Sequence, residues 1–154
     1  MKADFLFRIA NNITLLGWLI LIFLPRWRWA ARLIGPVLIP TLLSSLYAVL
    51  VVTEVGHGGG FSSLSSVAQL FRNPHLLLAG WVHYLAFDLF VGSWQVRDSQ
   101  RIGIAYYLLV LCLILTFLFG PAGWILYFVI RSIATRSIGV NDIYTEEISS
   151  ATGT

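Results

Sequence analysis

Four long apolar runs, separated by short polar segments, dominate the pattern of hydrophobic and polar positions along this chain. Their approximate bounds are 5–24, 36–54, 74–94 and 104–131. Each run is long enough for a helix to cross ~30 Å of hydrocarbon, which takes about 20 residues. The pattern predicts an all-α fold, namely a polytopic membrane helical bundle of four transmembrane helices within residues 1–131.

The fourth run contains an interruption, Gly120-Pro121-Ala122-Gly123. Proline removes a backbone hydrogen bond and clashes with the preceding turn, so a kinked or broken fourth helix is expected. Freed carbonyl groups in a membrane need cover from protein or from a water-filled cavity, which predicts that Pro121 faces the bundle interior. An alternative is a separate interfacial helix beyond Ala122, which Arg131 and Arg136 would suit.

Two polar segments complete the pattern. Segment 55–73 is rich in Gly and Ser, and the spacing of Phe61, Leu64 and Val67 within it predicts a short amphipathic helix on the membrane surface. Residues 132–154 lose hydrophobicity and gain Ser, Thr and Glu, which predicts a polar C-terminal tail.

The composition indicates an integral membrane protein, because 58% of the residues are hydrophobic and 11% are charged. The formal charge of +3 comes from Lys2 and nine arginines, which cluster beside the apolar runs. This distribution predicts contact with membrane lipid and argues against a nucleic-acid partner. The cationic residues divide evenly between the two faces of a four-span topology, so the orientation stays open, as does a homo-oligomer.

Asp88 lies in the middle of the third run, where a carboxylate is costly. A charged group near the centre of a bilayer costs at least ~2.5–3.5 kcal/mol on insertion scales, so such a residue indicates a functional site by default. A buried carboxyl group that serves packing alone is the competing interpretation.

Helical periodicity places the other polar and aromatic candidates around Asp88. Trp81 and Tyr84 share its stripe, and His83 and Phe87 share the next one, so His83 and Asp88 flank a common sector. The catalytic candidates are Asp88, His83 and Glu54, and the candidate substrate-binding residues are Tyr84, Trp81, Phe87, Tyr47, Thr116 and Pro121. Burial favours the neutral forms of both carboxyl and imidazole groups, so Asp88 could donate a proton and His83 or Glu54 accept one.

A metal site is not predicted. Glu54 and His57 have the Glu-x-x-His spacing of di-iron bundles, but the second such motif and the further glutamates are missing. One metal ion held by Glu54, His83 and Asp88 stays open as an alternative.

Two segments, Gly80–Gly92 and Leu115–Gly123, resemble the signature segments of the abscisic-acid-deficient-four-like family. These are small membrane proteins associated in plants with neoxanthin synthesis. The resemblance extends over about Leu15 to Arg131, and Asn73-Pro74 and Arg97-Asp98 sit where the family has similar connecting residues.

The resemblance implies conversion of violaxanthin to neoxanthin, or assistance with it. In that isomerisation an epoxide opens while a proton leaves the neighbouring polyene carbon, which produces an allene and needs no redox cofactor. The resemblance also implies a carotenoid or other isoprenoid ligand and a multi-pass location in a bacterial cytoplasmic or thylakoid-type membrane. For the reaction it implies that Asp88 and His83 act as the acid and the base, with Glu54 and Tyr84 as supporting groups. A non-enzymatic carotenoid-binding or assembly factor is the alternative, and a transporter is a weaker one.

Overall fold

The computed structural model describes residues 2–25, 34, 37–54, 56 and 59–136, and within them the fold is entirely helical. The helices are α1 (Ala3–Phe23), α2 (Ile39–Glu54), α3 (Leu64–Leu70), α4 (Pro74–Ile102), α5 (Tyr106–Phe119) and α6 (Pro121–Thr135). The predicted all-α class is confirmed. His57 and most of the predicted tail, residues 137–154, lie outside the described residues.

Two of these helices, α1 with 21 residues and α4 with 29, are long and apolar enough to cross a membrane. Helices α2 and α5 are apolar but shorter. Helix α4 extends past the predicted third run and includes Arg97 and Asp98, so the prediction that these two residues form a connection is wrong. Gly103, in the left-handed conformation, ends the helix instead.

Helix α4 is central and packs against α1, α2, α5 and α6. Helix α1 runs parallel to it, because Asn11 lies beside Trp81 and Trp18 lies beside Gly92 further along both helices. A Cβ atom at Gly92 would come within 2.7 Å of the Trp18 ring. The absence of a side chain at this position therefore sets the close approach of α1 and α4.

Helix α2 runs antiparallel to α4. Its Tyr47 lies beside His83, and its C-terminal Glu54 lies beside His75, near the start of α4. The segment between α2 and α4 contains α3, as the amphipathic spacing predicts, and Ser63 caps it by accepting a 3.1 Å hydrogen bond from the backbone N–H of Ser66.

The chain reverses direction at Gly120. Gly123 of α6 packs directly on the backbone of Thr116 in α5, and Tyr127 lies near Cys112, so the two helices form an antiparallel pair. We call this pair the α5–α6 hairpin. The predicted interruption is present, but residues 104–131 form two helices that fold back on each other, because Gly120 adopts a φ of +39° that suits glycine.

The hairpin lies along the C-terminal half of α4. Its tip, Gly120, is beside Asp88, the central residue of α4, and Arg131 near its far end contacts Asp98. Pro121 is exposed, so the prediction that it faces the interior is wrong. As the first residue of α6, a proline needs no partner for its missing N–H, and Gly123 makes the internal contact.

Candidate functional site

An apolar cleft of about 520 Å³ lies between α2, α3 and the first turns of α4. We call it the α2–α4 cleft. Among the described residues that line it, the polar side chains are those of Tyr47, Glu54 and His83, and the others are apolar or glycine. Three of the predicted site residues therefore share one cavity.

His83 holds an aromatic stack on the wall of this cleft. Its ring centroid lies 4.6 Å from that of Phe87 with the planes 26° apart, and 5.4 Å from that of Tyr47. The imidazole is exposed, so it is accessible to a ligand. The structure thus brings together His83 and Phe87 of α4 with Tyr47 of α2. Helical spacing alone could not predict the contact with Tyr47, because that residue lies on a different helix.

Glu54 links the end of α2 to the start of α4. Its Oε2 accepts a 2.6 Å hydrogen bond from Asn73 Nδ2, and its Oε1 lies 3.2 Å from His75 Nδ1. Asn73 also caps α4, since its Oδ1 accepts a 2.9 Å bond from the backbone N–H of His75. The Glu54 side chain keeps 20% of its surface exposed at the cleft.

Asp88 lies on a different face of α4, at the tip of the α5–α6 hairpin. A Cβ atom at Gly120 would be 2.9 Å from Asp88 Oδ1, so a side chain at this position would displace the carboxyl group. The tip is also the N-terminus of α6, so the Asp88 carboxyl group lies beside the end of a helix that carries a partial positive charge. Oδ2 of Asp88 is buried without a hydrogen-bond partner among the described residues, and the Tyr84 hydroxyl lies within electrostatic range.

The predicted pair of His83 and Asp88 is therefore not assembled at one site. His83 contacts α2, whereas Asp88 contacts the hairpin tip. The two side chains are about 140° apart around the helix axis, and different helices pack on the two sides of α4. Sequence periodicity predicted this angle between His83 and Asp88, but it could not predict which helices would pack on the two sides of α4.

Trp81 and Tyr84 line a second cavity, of about 360 Å³, between α1, α4 and the hairpin. The Tyr84 hydroxyl donates a 3.2 Å hydrogen bond to the backbone oxygen of Phe117, and Trp81 Nε1 donates a 2.9 Å bond to Asn11 Oδ1. We call this space the sub-hairpin cavity, because Phe117 and Leu118 near the hairpin tip form one of its walls.

The family model described as ABA DEFICIENT 4-like matches residues 5–127 of this chain. The chain belongs to the ABA DEFICIENT 4-like family. No curated protein and no solved structure matches it.

The match to the ABA DEFICIENT 4-like family covers every predicted site residue, including Thr116 and Pro121. Thr116 is fully buried. Its Oγ1 lies 3.1 Å from Gln95 Nε2 and donates a 2.8 Å bond to the backbone oxygen of Cys112. This places Thr116 in the packing between α4 and the hairpin, and it places Pro121 on the exposed side of the hairpin tip.

A buried ionic cluster between α4 and α6 went unrecognised in the sequence. Arg131 Nε lies 2.9 Å from Asp98 Oδ2, and the Tyr127 hydroxyl donates a 2.8 Å bond to the same oxygen. Arg131 is 1% exposed, so the interpretation of this arginine as an interfacial anchor is wrong. The available signal was the four-residue spacing of Tyr127 and Arg131, which puts both on one face of a helix.

The described residues contain no group of three His, Cys, Asp or Glu side chains positioned to hold a metal ion. The alternative of one ion held by Glu54, His83 and Asp88 has no support, because Asp88 faces the hairpin while the other two line the α2–α4 cleft.

Proposed function

We propose that this ABA DEFICIENT 4-like protein crosses the membrane with α1, α2 and α4, and that the α5–α6 hairpin enters and leaves from one side. Between His75 and Arg97, α4 carries one carboxylic acid, Asp88, one histidine, His83, and no lysine or arginine over a length of about 32 Å, close to the hydrocarbon thickness. Helices α5 and α6 are each about 21–22 Å long, slightly shorter than α2 at about 24 Å, and unlike α2 they fold back on each other at Gly120. With Gly120 beside Asp88, the hairpin tip would lie near the middle of the bilayer.

We further propose that the α2–α4 cleft binds an end ring of a carotenoid or related isoprenoid. The observation that carries this proposal is the cavity itself, which is apolar and aromatic-walled and has three polar side chains among its described lining residues. The cleft lies near one end of the proposed spans, beside Glu54 and His75. An oxygenated ring could therefore sit near the interface while its polyene extends along the lipid-facing side of the protein.

The proposed reaction is the epoxide-opening isomerisation that family membership suggests. An acid protonates the epoxide oxygen as the carbon–oxygen bond breaks, and a base removes a proton from the neighbouring polyene carbon, which leaves an allene and a hydroxyl group. The groups within one cleft are His83, proposed as the acid, and Glu54, proposed as the base. Asp88 is then proposed as a structural carboxylate at the hairpin tip.

A non-enzymatic carotenoid-binding protein is the second candidate. The contacts of Glu54 with Asn73 and His75 favour this candidate. They are as consistent with a structural role for Glu54, joining α2 to α4, as with a role as a base. In that case the cleft would bind pigment without converting it.

Pigment analysis in a host that makes epoxidised carotenoids tests both candidates. The chain is expressed as wild type, His83→Gln, Glu54→Gln and the shape-matched control Asp88→Asn. We expect a new allenic pigment with the wild type and Asp88→Asn, and its loss with the two cleft variants at equal protein level. Unchanged pigment that co-purifies with the wild type favours the binding protein. Product that depends on Asp88 but not on His83 or Glu54 rules out the cleft as the reaction site.

A further inference from the structure

The sub-hairpin cavity is separate from the α2–α4 cleft and uses different side chains. It is bounded by the middle of α1, the stretch of α4 around Trp81 and Tyr84, and the hairpin residues Phe117 and Leu118. None of the described residues that line it is charged. Leu118 is 54% exposed and Trp81 is 41% exposed, so the cavity opens toward the surface that would face lipid.

Two adjacent amides, Asn11 and Asn12, line this cavity. The indole N–H of Trp81 donates its hydrogen bond to Asn11, so the Asn11 atom in this contact is the acceptor Oδ1. The N–H groups of the Asn11 amide therefore point away from Trp81. Asn12 is exposed and has no hydrogen-bond partner among the residues that the structure describes. The cavity therefore presents amide donors that the described protein does not satisfy.

The position of these amides along α1 makes them unusual. Asn12 lies about 6 Å along the axis from Arg8 and about 16 Å from Phe23, so it belongs to the apolar part of a helix long enough to cross the membrane, about one turn from the polar end of that part. Hydrocarbon offers no hydrogen bonds at that depth, so an amide there needs a partner from protein, water or ligand.

We infer that the sub-hairpin cavity is a second ligand site, which binds an uncharged lipid through an oxygen atom such as that of a hydroxyl or carbonyl group. The oxygen accepts from the amides of Asn11 and Asn12, and the apolar body packs on Trp81, Leu15 and Leu118. Because none of its described lining residues is charged, the cavity suits an uncharged lipid better than a phosphate or carboxylate. This site does not depend on the proposed function of the α2–α4 cleft.

A lipid explains the arrangement better than a second copy of the chain. Asparagines that join helices across an interface lie on surfaces where another helix can approach closely. Here both amides line a hollow of about 360 Å³ beneath the hairpin tip, and a concave site of this kind suits a small ligand.

Photolabelling in phosphatidylcholine vesicles tests the inference. The full chain is exposed to a long-chain alcohol bearing a diazirine and, separately, to a diazirine alkane of equal length, and the labelled residues are mapped by mass spectrometry. We expect the alcohol to label the 11–15 and 117–118 segments about fivefold more than the alkane, the factor that one net hydrogen bond supplies. The double variant Asn11→Leu/Asn12→Leu should reduce alcohol labelling to the alkane level, while labelling around Tyr47 in the cleft stays unchanged and reports an intact fold.

The matched control moves an amide by about one turn of α1. Asn12→Leu/Leu16→Asn keeps the number of amides but places one at a position that is 58% exposed and outside the cavity. Labelling should fall in this variant. The inference is overturned if labelling follows the amide to position 16, if both probes label equally, or if the asparagine variants only dissociate an oligomer.

Competition identifies the source of the oxygen-bearing lipid. Unlabelled diacylglycerol represents a bulk membrane lipid, and an unlabelled hydroxylated carotenoid represents a ligand of the family's chemistry. Displacement of the alcohol probe by either one supports the site and names its source, whereas displacement by neither overturns the inference.

Discussion

The buried pair of Arg131 and Asp98 allows a quantitative test of how the hairpin is held against α4. Replacing Arg131 with Met keeps most of the side-chain volume but leaves the Asp98 carboxylate, whose side chain is 11% exposed, without its cationic partner. Removing one member of a buried ion pair costs about 3–5 kcal/mol, because the remaining charge stays desolvated. We expect a loss of unfolding free energy of that size for Arg131→Met.

A double-mutant cycle separates this pairing from simple loss of packing. Asp98→Asn alone leaves the guanidinium, which is 1% exposed, without this carboxylate. The double variant Arg131→Met/Asp98→Asn removes both charges, so it should be less destabilised than the sum of the single variants by about 1–3 kcal/mol.

The measurement is equilibrium unfolding in one detergent or bilayer composition, with all four proteins compared under identical conditions. Tyr127→Phe is the matched control, because it removes only the 2.8 Å hydrogen bond to Asp98 and should cost about 0.5–3 kcal/mol. Additive single effects, or a loss below 1 kcal/mol for Arg131→Met, would refute the reasoning that this ion pair anchors the hairpin.

The remaining predictions concern the hairpin, the topology and the cleft. Gly123→Ala should destabilise the protein by about 1–3 kcal/mol, because its Cβ would overlap the backbone of Thr116; Ala122→Leu, at the exposed neighbouring position, should leave the unfolding free energy within about 0.5 kcal/mol in the same assay. Accessibility labelling of tags should place the two termini on opposite sides of the membrane, whereas four complete crossings would place both on one side. Gly80→Leu should fill part of the α2–α4 cleft, since even a Cβ at that position would lie 3.0 Å from the Phe71 ring; pigment retention should fall, and unchanged retention would move the ligand elsewhere.

Much of the helical content was predictable because it depends on local chemistry. The first and third apolar runs became α1 and α4, and the spacing of Leu64 and Val67 correctly located α3. Gly120-Pro121 correctly marked an interruption, because proline at that position cannot continue the preceding helix. The direction of the chain after the interruption was not predictable, since it depends on how closely Gly123 approaches Thr116.

The candidate site was predictable as a set of residues, but not as an arrangement. Periodicity placed His83 and Asp88 on adjacent sectors of one helix, yet the packing of α2 on one side and of the hairpin on the other assigned them to different environments. Arg131 resembled an interfacial anchor because its counter-charge, Asp98, lies 33 residues earlier in the chain. A contact between residues so far apart in the chain produces no helical periodicity in the sequence from which it could be predicted.

The sequence by itself determined an all-helical chain, the apolar segments suited to a membrane, and membership of the ABA DEFICIENT 4-like family, because each depends on residue type and local spacing. Only the tertiary structure decided that Glu54 and His83 share a cleft, that Asp88 meets the hairpin tip, and that Asn11 and Asn12 line a separate cavity. The physical reason is that a helix presents side chains in all directions. The helices that pack around it select which of those side chains meet.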